Sequence, residues 1–281
     1  MMPLPSKAHF FSRFLFANAA GLLLASRVIA GDTVPVALPP PTPTASDWEF
    51  RISLPFWIAT QAGTVGARGV KGEIDSKVTD FASNLDSSSH VFEIPLSLEA
   101  RYQRWRFLLR GYYAGYSDTI TPHAPVDALV DQVKMESRNG LVEGGVGYDL
   151  LQATAGHLTI MAGFRYNYVK LTLTRDSNLA APIVLPERQY RETGGWVDPF
   201  IGVSGKVKIW KPISFFGEGD VGGFGLSSKF SFQLQGGLEF QFTRHFYGQL
   251  GYKYYHVDYT HRDFTWKTET GGPVVTLGWN F

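Results

Sequence analysis

Along most of this chain hydrophobic and polar residues alternate one by one. Over 230–242, Phe230, Phe232, Leu234, Leu238, Phe240 and Phe242 interleave with Ser231, Gln233, Gln235, Glu239 and Gln241. Over 273–281, Pro273, Val275, Leu277, Trp279 and Phe281 interleave with Val274, Thr276, Gly278 and Asn280. A period of two puts each set on its own face of an extended strand. One face is too apolar, and the other too polar, for the core of a soluble sandwich. Lipid on one side and water on the other satisfy both, and that is the pattern of a transmembrane β-barrel.

The same alternation predicts ten strands: 47–60, 90–103, 105–117, one centred on Val142, Val146, Tyr148 and Leu150, then 158–168, 196–210, 215–226, 229–243, 246–260 and 264–281. Each approaches the roughly 9–11 residues that a tilted strand needs to cross a bilayer. The predicted fold is all-β, a transmembrane antiparallel up-and-down β-barrel. Eight or twelve strands are the alternatives, because 69–79 could supply an extra hairpin and some runs fit one bent strand. Short turns near Gln103, Gln152, Lys211 and Arg244 are assigned to the periplasm, and the long polar connections 60–89, 118–131 and 176–194 to the outside.

Residues 1–30 read as a secretory signal: Lys7 and Arg13, an apolar core over 14–25, and Val28-Ile29-Ala30 before the cleavage point, with Arg27 an irregularity there. Residues 31–46 form a proline-rich periplasmic tether, since proline lacks the N–H that a sheet needs. Residues 47–281 are then the barrel. Beyond the signal no apolar window is long enough for a spanning helix, which leaves strands as the only means of crossing.

Composition narrows the chemistry. There is no cysteine, so disulfides and thiolates are excluded, and a net charge of +1 offers nothing to nucleic acid. Aromatics at 15% and 30 glycines suit interfacial girdles and tight turns. Trp105, Trp210, Trp279 and Phe281 are predicted to form the periplasmic girdle, and Tyr166, Tyr168, Tyr252, Tyr254 and Tyr259 to anchor at the interfaces.

The period-two rule turns Glu49, Arg51, Glu99, Arg101, Arg110, Glu143, Asp149, Arg165, Lys206, Glu218, Asp220, Glu239 and Lys253 toward the lumen. Cations and anions mixed so evenly in a barrel of about ten strands are expected to pair and fill the interior, since open channels need about 16–18 strands. A three-residue turn around Pro212 would set Lys206 against Glu218. A constriction selecting small ions, or a binding pocket, is the alternative reading of the same charges. Residues 80–86, with Asp80 as cap and Phe81 and Leu85 four apart, fit a short helical turn in the longest loop, either at the surface or folded into the mouth.

Catalytic constellations are weak. Ser87, Ser88, Ser89 and His90 are strand neighbours whose side chains alternate in direction. His256 and Asp258 share a face, with His261 and Asp263 beyond, but their spacing suits a polar rim better than a metal site. The glycine-rich run 217–223 leads into no helix and is no phosphate cradle. No cofactor, metal or catalytic residue is therefore expected.

Two sets of residues carry a family resemblance. Trp48-Glu49-Phe50 with Pro55 and Trp57, Gly63-Thr64-Val65-Gly66, Asp80-Phe81-Ala82-Ser83-Asn84-Leu85-Asp86, and Glu99-Ala100-Arg101 before Arg104-Trp105 make up the first. Trp196-Val197-Asp198-Pro199-Phe200-Ile201-Gly202, Gly219-Asp220-Val221-Gly222-Gly223-Phe224-Gly225, Gly251-Tyr252-Lys253-Tyr254, Gly272-Pro273 and Gly278-Trp279-Asn280-Phe281 make up the second. Together they resemble uncharacterised Gram-negative outer-membrane β-barrel proteins across nearly the whole barrel, departing in the loops after Asp118 and Asp176 and in the tether. The resemblance implies outer-membrane lipid as surroundings and no transferable catalytic residue. It also implies the barrel-assembly machinery as a partner, with Val275, Leu277, Trp279 and Phe281 as the assembly signal. A structural or surface-interaction barrel is the first functional reading; a narrow passive pore and an outer-membrane lipase or protease are the alternatives.

Overall fold

The computed structural model describes residues 48–67, 70–75, 95–122, 133–175 and 188–281, all within one unit, Thr44–Phe281. The predicted signal, the tether, the 80–86 segment and Ser87, Ser88, Ser89 and His90 lie outside the described residues. Twelve strand segments make one antiparallel sheet: β1 (Trp48–Trp57), β2 (Thr60–Ala67), β3 (Val70–Asp75), β4 (Leu96–Tyr102), β5 (Trp105–Pro122), β6 (Val133–Ala153), β7 (Gly156–Arg175), β8 (Arg188–Trp210), β9 (Ile213–Gly222), β10 (Phe230–Gln241), β11 (Phe246–His261) and β12 (Phe264–Asn280).

These segments occupy ten barrel positions. β1 and β2 both pair with β12 in one uninterrupted register, Trp57↔Val274 being followed by Thr60↔Gly271. The backbone N–H of Ile58 bridges the gap by donating to Pro273 O at 3.0 Å. β3 and β4 likewise share one stave, flanked by β1–β2 on one side and β5 on the other. β12 against β1 and β2 closes the ring, which removes the unpaired edge that a bilayer would not tolerate. The protein is a transmembrane antiparallel β-barrel.

The outward face explains the membrane placement. Ile52, Leu109, Val146, Ile160, Ile201, Leu250 and Leu277 are exposed and form a belt around the ring. In water such a belt would be a severe liability; in lipid it is required. Aromatic residues bound the belt at the end of the short turns. Trp105, Trp210, Trp279 and Phe281 are exposed there; Trp105 meets Tyr148 edge-on and Trp279 contacts Phe246 and Phe281.

At the other end the strands run on, and this corrects three predicted loops. Within 60–89 lies the hairpin β2–β3, β5 and β6 reach to Pro122 and Val133, and β8 begins at Arg188. The sequence-based boundaries fell where the outward residues turned polar. The strands continue because their inward residues there are apolar and pack on one another. β9 and β10 stop short, joined by the stretch 223–229, in which Phe224 and Leu226 are exposed. Gly223 takes a left-handed conformation there, and a Cβ at that position would strike Ser228. The turn is tied down by Asp198, whose carboxylate accepts from Ser228 N at 2.9 Å and from the Trp196 indole at 3.1 Å.

Candidate functional site: the lumen

The lumen has two sections with opposite chemistry. In the section behind the apolar belt, ten of the thirteen charged residues assigned to the lumen from the sequence project inward together: Arg51, Glu99, Arg110, Glu143, Arg165, Lys206, Glu218, Asp220, Glu239 and Lys253. Three groups form. Arg165 donates to Glu143 at 2.5 Å and to both oxygens of Asp220 at 2.8 and 2.9 Å, all three side chains being almost fully buried. Its guanidinium also lies over the rings of Phe200 and Tyr255, at 5.2 and 5.0 Å. Arg110 crosses the barrel from β5 to β9 in a two-pronged bond to Glu218, the second contact at 2.7 Å.

Glu239 gathers the second group, accepting from Arg51, Lys206 and Gln249, each at 2.9 Å. Lys206 therefore meets Glu239 and not Glu218. The turn holds only Lys211 and Pro212, with a bulge between Lys208 and Trp210, so Lys206 lies opposite Phe216 and Ser204 opposite Glu218. The third group centres on Arg106, which the sequence reading passed over. It bonds Glu99 at 2.6 Å and Asp149 at 2.7 Å, and Thr159 donates to Asp149 at 2.6 Å. Four residues before Arg110 on one strand, Arg106 obeys the same period-two rule that found its neighbour. Nearest the turn end Arg101 bonds Glu49 at 2.8 Å. Lys253 lies over the Trp57 ring at 4.9 Å. Among these groups lies a cavity of about 170 Å³, lined by Arg51, Arg110, Lys206, Glu218, Glu239 and Lys253, with Trp57, Leu141 and Val274 among its apolar lining.

The second section, at the loop end, holds a packed apolar cluster. Trp57, Val65, Val169, Leu171, Leu173, Trp196, Val257, Phe264, Trp266 and Val274 belong to one buried cluster, with Val65, Leu171 and Leu173 at 0% exposure. Tyr259, predicted at the interface, instead faces inward and stacks on Trp196 with ring centroids 4.0 Å apart. A cross-lumen bond from Tyr255 Oη to Asn167 Oδ1, 2.9 Å, marks the boundary between charged and apolar sections.

The remaining candidates stand outside the lumen. His256 and Asp258 share the outward face of β11, where each faces a β12 partner: His256 lies 3.8 Å from Glu269 and Asp258 3.2 Å from Lys267. Among the described residues no group of acids and histidines is arranged to hold a metal.

The family model described as a protein of unknown function, DUF481, matches residues 103–265, more than half of the chain. The chain belongs to the DUF481 family. The match runs from the turn before β5 to the start of β12 and so takes in the Arg165 group, the Arg110–Glu218 pair and Glu239. No match is found among curated proteins. Solved structures similar to this chain include the outer membrane protease OmpT of Escherichia coli, at 9% identity and a TM-score of 0.48, covering 83% of this chain and 96% of that one. Another is Ail, the attachment invasion locus protein of Yersinia pestis, at 11% identity and 0.36, covering 84% and 100%. A third is the translocator domain of the autotransporter NalP of Neisseria meningitidis, at 12% identity and 0.34, covering 96% and 98%. The membrane assignment stands on this chain's own register and faces.

Proposed function

We propose that this protein is an integral barrel of the bacterial outer membrane with a structural or surface-interaction role, non-catalytic and closed to solutes. The observation that carries the reading is the packed apolar section at the loop end. A continuous aqueous path needs polar walls or space, and Leu171, Leu173, Val65 and Trp266 offer neither. The ion pairs behind the belt support the same reading, because each inward charge of the Arg165 group is matched by a partner. A buried charge without a partner would cost several kcal/mol. What remains available to the surroundings is the part of the barrel beyond the belt and the loops it carries, with the short turns toward the periplasm.

The outward strip Val275, Leu277 and Trp279 lies on β12, the strand that closes the ring against β1, and Phe281 follows directly after it. We assign this strip to the barrel-assembly machinery; removal of Phe281 is expected to lower the amount of folded protein in the membrane, and unchanged levels would refute the assignment. The closed lumen is tested by recording from membrane-purified protein in planar bilayers, its folding checked by heat-modifiable gel mobility. Folded protein is expected to remain silent. Discrete conductance steps that shift in Lys206→Gln would replace this reading with a narrow pore filtered by the lumen charges.

A further inference from the structure

Just beyond the aromatic residues at the loop end, the outward faces of two strand pairs carry charge in different ways. On β11 and β12 the charges are matched across the ladder: His256 faces Glu269 and Asp258 faces Lys267. On β6 and β7, Arg138 faces Lys170 directly. Like charges directly opposite on a sheet, with Cβ atoms roughly 5 Å apart, destabilise it.

A third cation joins them from β8, where Arg191 is opposite Thr172, two residues along the outward face of β7 from Lys170. Lys170 is itself opposite Thr193, whose hydroxyl shares that face. Among the described residues none of Arg138, Lys170 and Arg191 has an acidic partner. The acid on this face, Glu136, is 3.5 Å from Lys134. One step toward the membrane the cations give way to Tyr168, flanked across the ladders by Gly140 and Gly195. Tyr166 and then Phe164, Val142 and Val197 of the exposed belt follow. The patch thus sits where the headgroups of the leaflet at the loop end meet the barrel.

We propose that Arg138, Lys170 and Arg191 bind the phosphate of a lipid headgroup in the leaflet at the loop end. A phosphate oxyanion between Arg138 and Lys170 converts their repulsion into two charge-assisted contacts, Arg138 offering its planar fork and Lys170 a point charge. Thr193 adds a hydroxyl donor, and Arg191 reaches a second oxygen or a second phosphate on the same lipid. A lipid is favoured over a free ion because the patch is continuous with the tyrosines and the apolar belt, which would hold the acyl chains. The inference rests on the membrane-spanning fold and not on the closure of the lumen, so conductance has no bearing on it.

The test is native mass spectrometry of the membrane-purified protein in detergent with added phosphatidic acid or phosphatidylcholine. The protein is expected to retain phosphatidic acid preferentially. Arg138→Gln/Lys170→Gln/Arg191→Gln is expected to lose about a hundredfold in that preference, the conversion of roughly 1 kcal/mol per cation near a lipid surface. Lys267→Gln, on the matched flank, should keep it. Heat-modifiable mobility establishes that each variant is folded, and Arg191→Gln alone, expected to lose several-fold, serves if the triple variant is not. Preference unchanged in the folded variants, or absent from the parent protein, overturns the site. Displacement of the lipid by inorganic phosphate at equal concentration overturns the lipid as its occupant.

Discussion

The barrel behind the belt and the barrel beyond it are built from the same strands with opposite solvents. β7 shows the change within one element. Below Tyr168 its outward residues are Ile160 and Phe164 and its inward residues Thr159 and Arg165; above, Lys170 and Thr172 face out and Leu171 and Leu173 face in. The period of two never breaks. Only the assignment of faces inverts, because the surroundings change from lipid to water. In the membrane section apolar packing inside would leave nothing to distinguish the lumen from the bilayer, and paired charges define the interior. In the section beyond, the hydrophobic effect operates as it does in a soluble barrel, and burial of Leu171, Val257 and Trp266 supplies the stability.

The contrast can be broken most severely at Arg165. Arg165→Ala leaves Glu143 and Asp220 without their shared cation and should cost about 3–5 kcal/mol, read from urea unfolding followed by the gel mobility of folded and unfolded forms. A loss below about 1 kcal/mol would mean that water already solvates those carboxylates. In the outer section Leu171→Ala should cost about 2–5 kcal/mol by the same measurement, through lost transfer energy and the cavity left behind.

Arginine introduced on the outward face sharpens the boundary. Val146→Arg, within the belt, is expected to destabilise by about 2–4 kcal/mol. Thr64→Arg, outward on β2, should change stability by no more than about 0.5 kcal/mol. Equal penalties at the two positions would place both in lipid and erase the distinction. A comparably small effect belongs to Lys267→Gln, which removes an exposed partner of Asp258; about 0.2–1 kcal/mol is expected, diminishing as salt is added.

The sequence shows the ring, the belt and the inward charges because all three depend on period two alone. Arg106 was equally legible by that rule. Pairing across the lumen was not: that Arg110 on β5 reaches Glu218 on β9 depends on which staves face each other, and that Lys206 meets Glu239 depends on a bulge between Lys208 and Trp210. The outer section was hidden by the length a bilayer imposes on a strand. The run Val169-Lys170-Leu171-Thr172-Leu173-Thr174 keeps the alternation, but its apolar residues lie on the face that is polar below. Only the packed interior reveals that these are further turns of the same pleat and not the start of a loop.

That the lumen is closed at its loop end can be tested directly, because the chain contains no cysteine. Single cysteines Gln249→Cys, in the cavity wall, and Leu171→Cys, in the packed section, can be exposed to a charged methanethiosulfonate reagent in the folded, membrane-reconstituted barrel. Modification of the thiol at 249 with no reaction at 171 is the predicted result. Modification at 171 as fast as at 249 would show a continuous aqueous path and contradict the account.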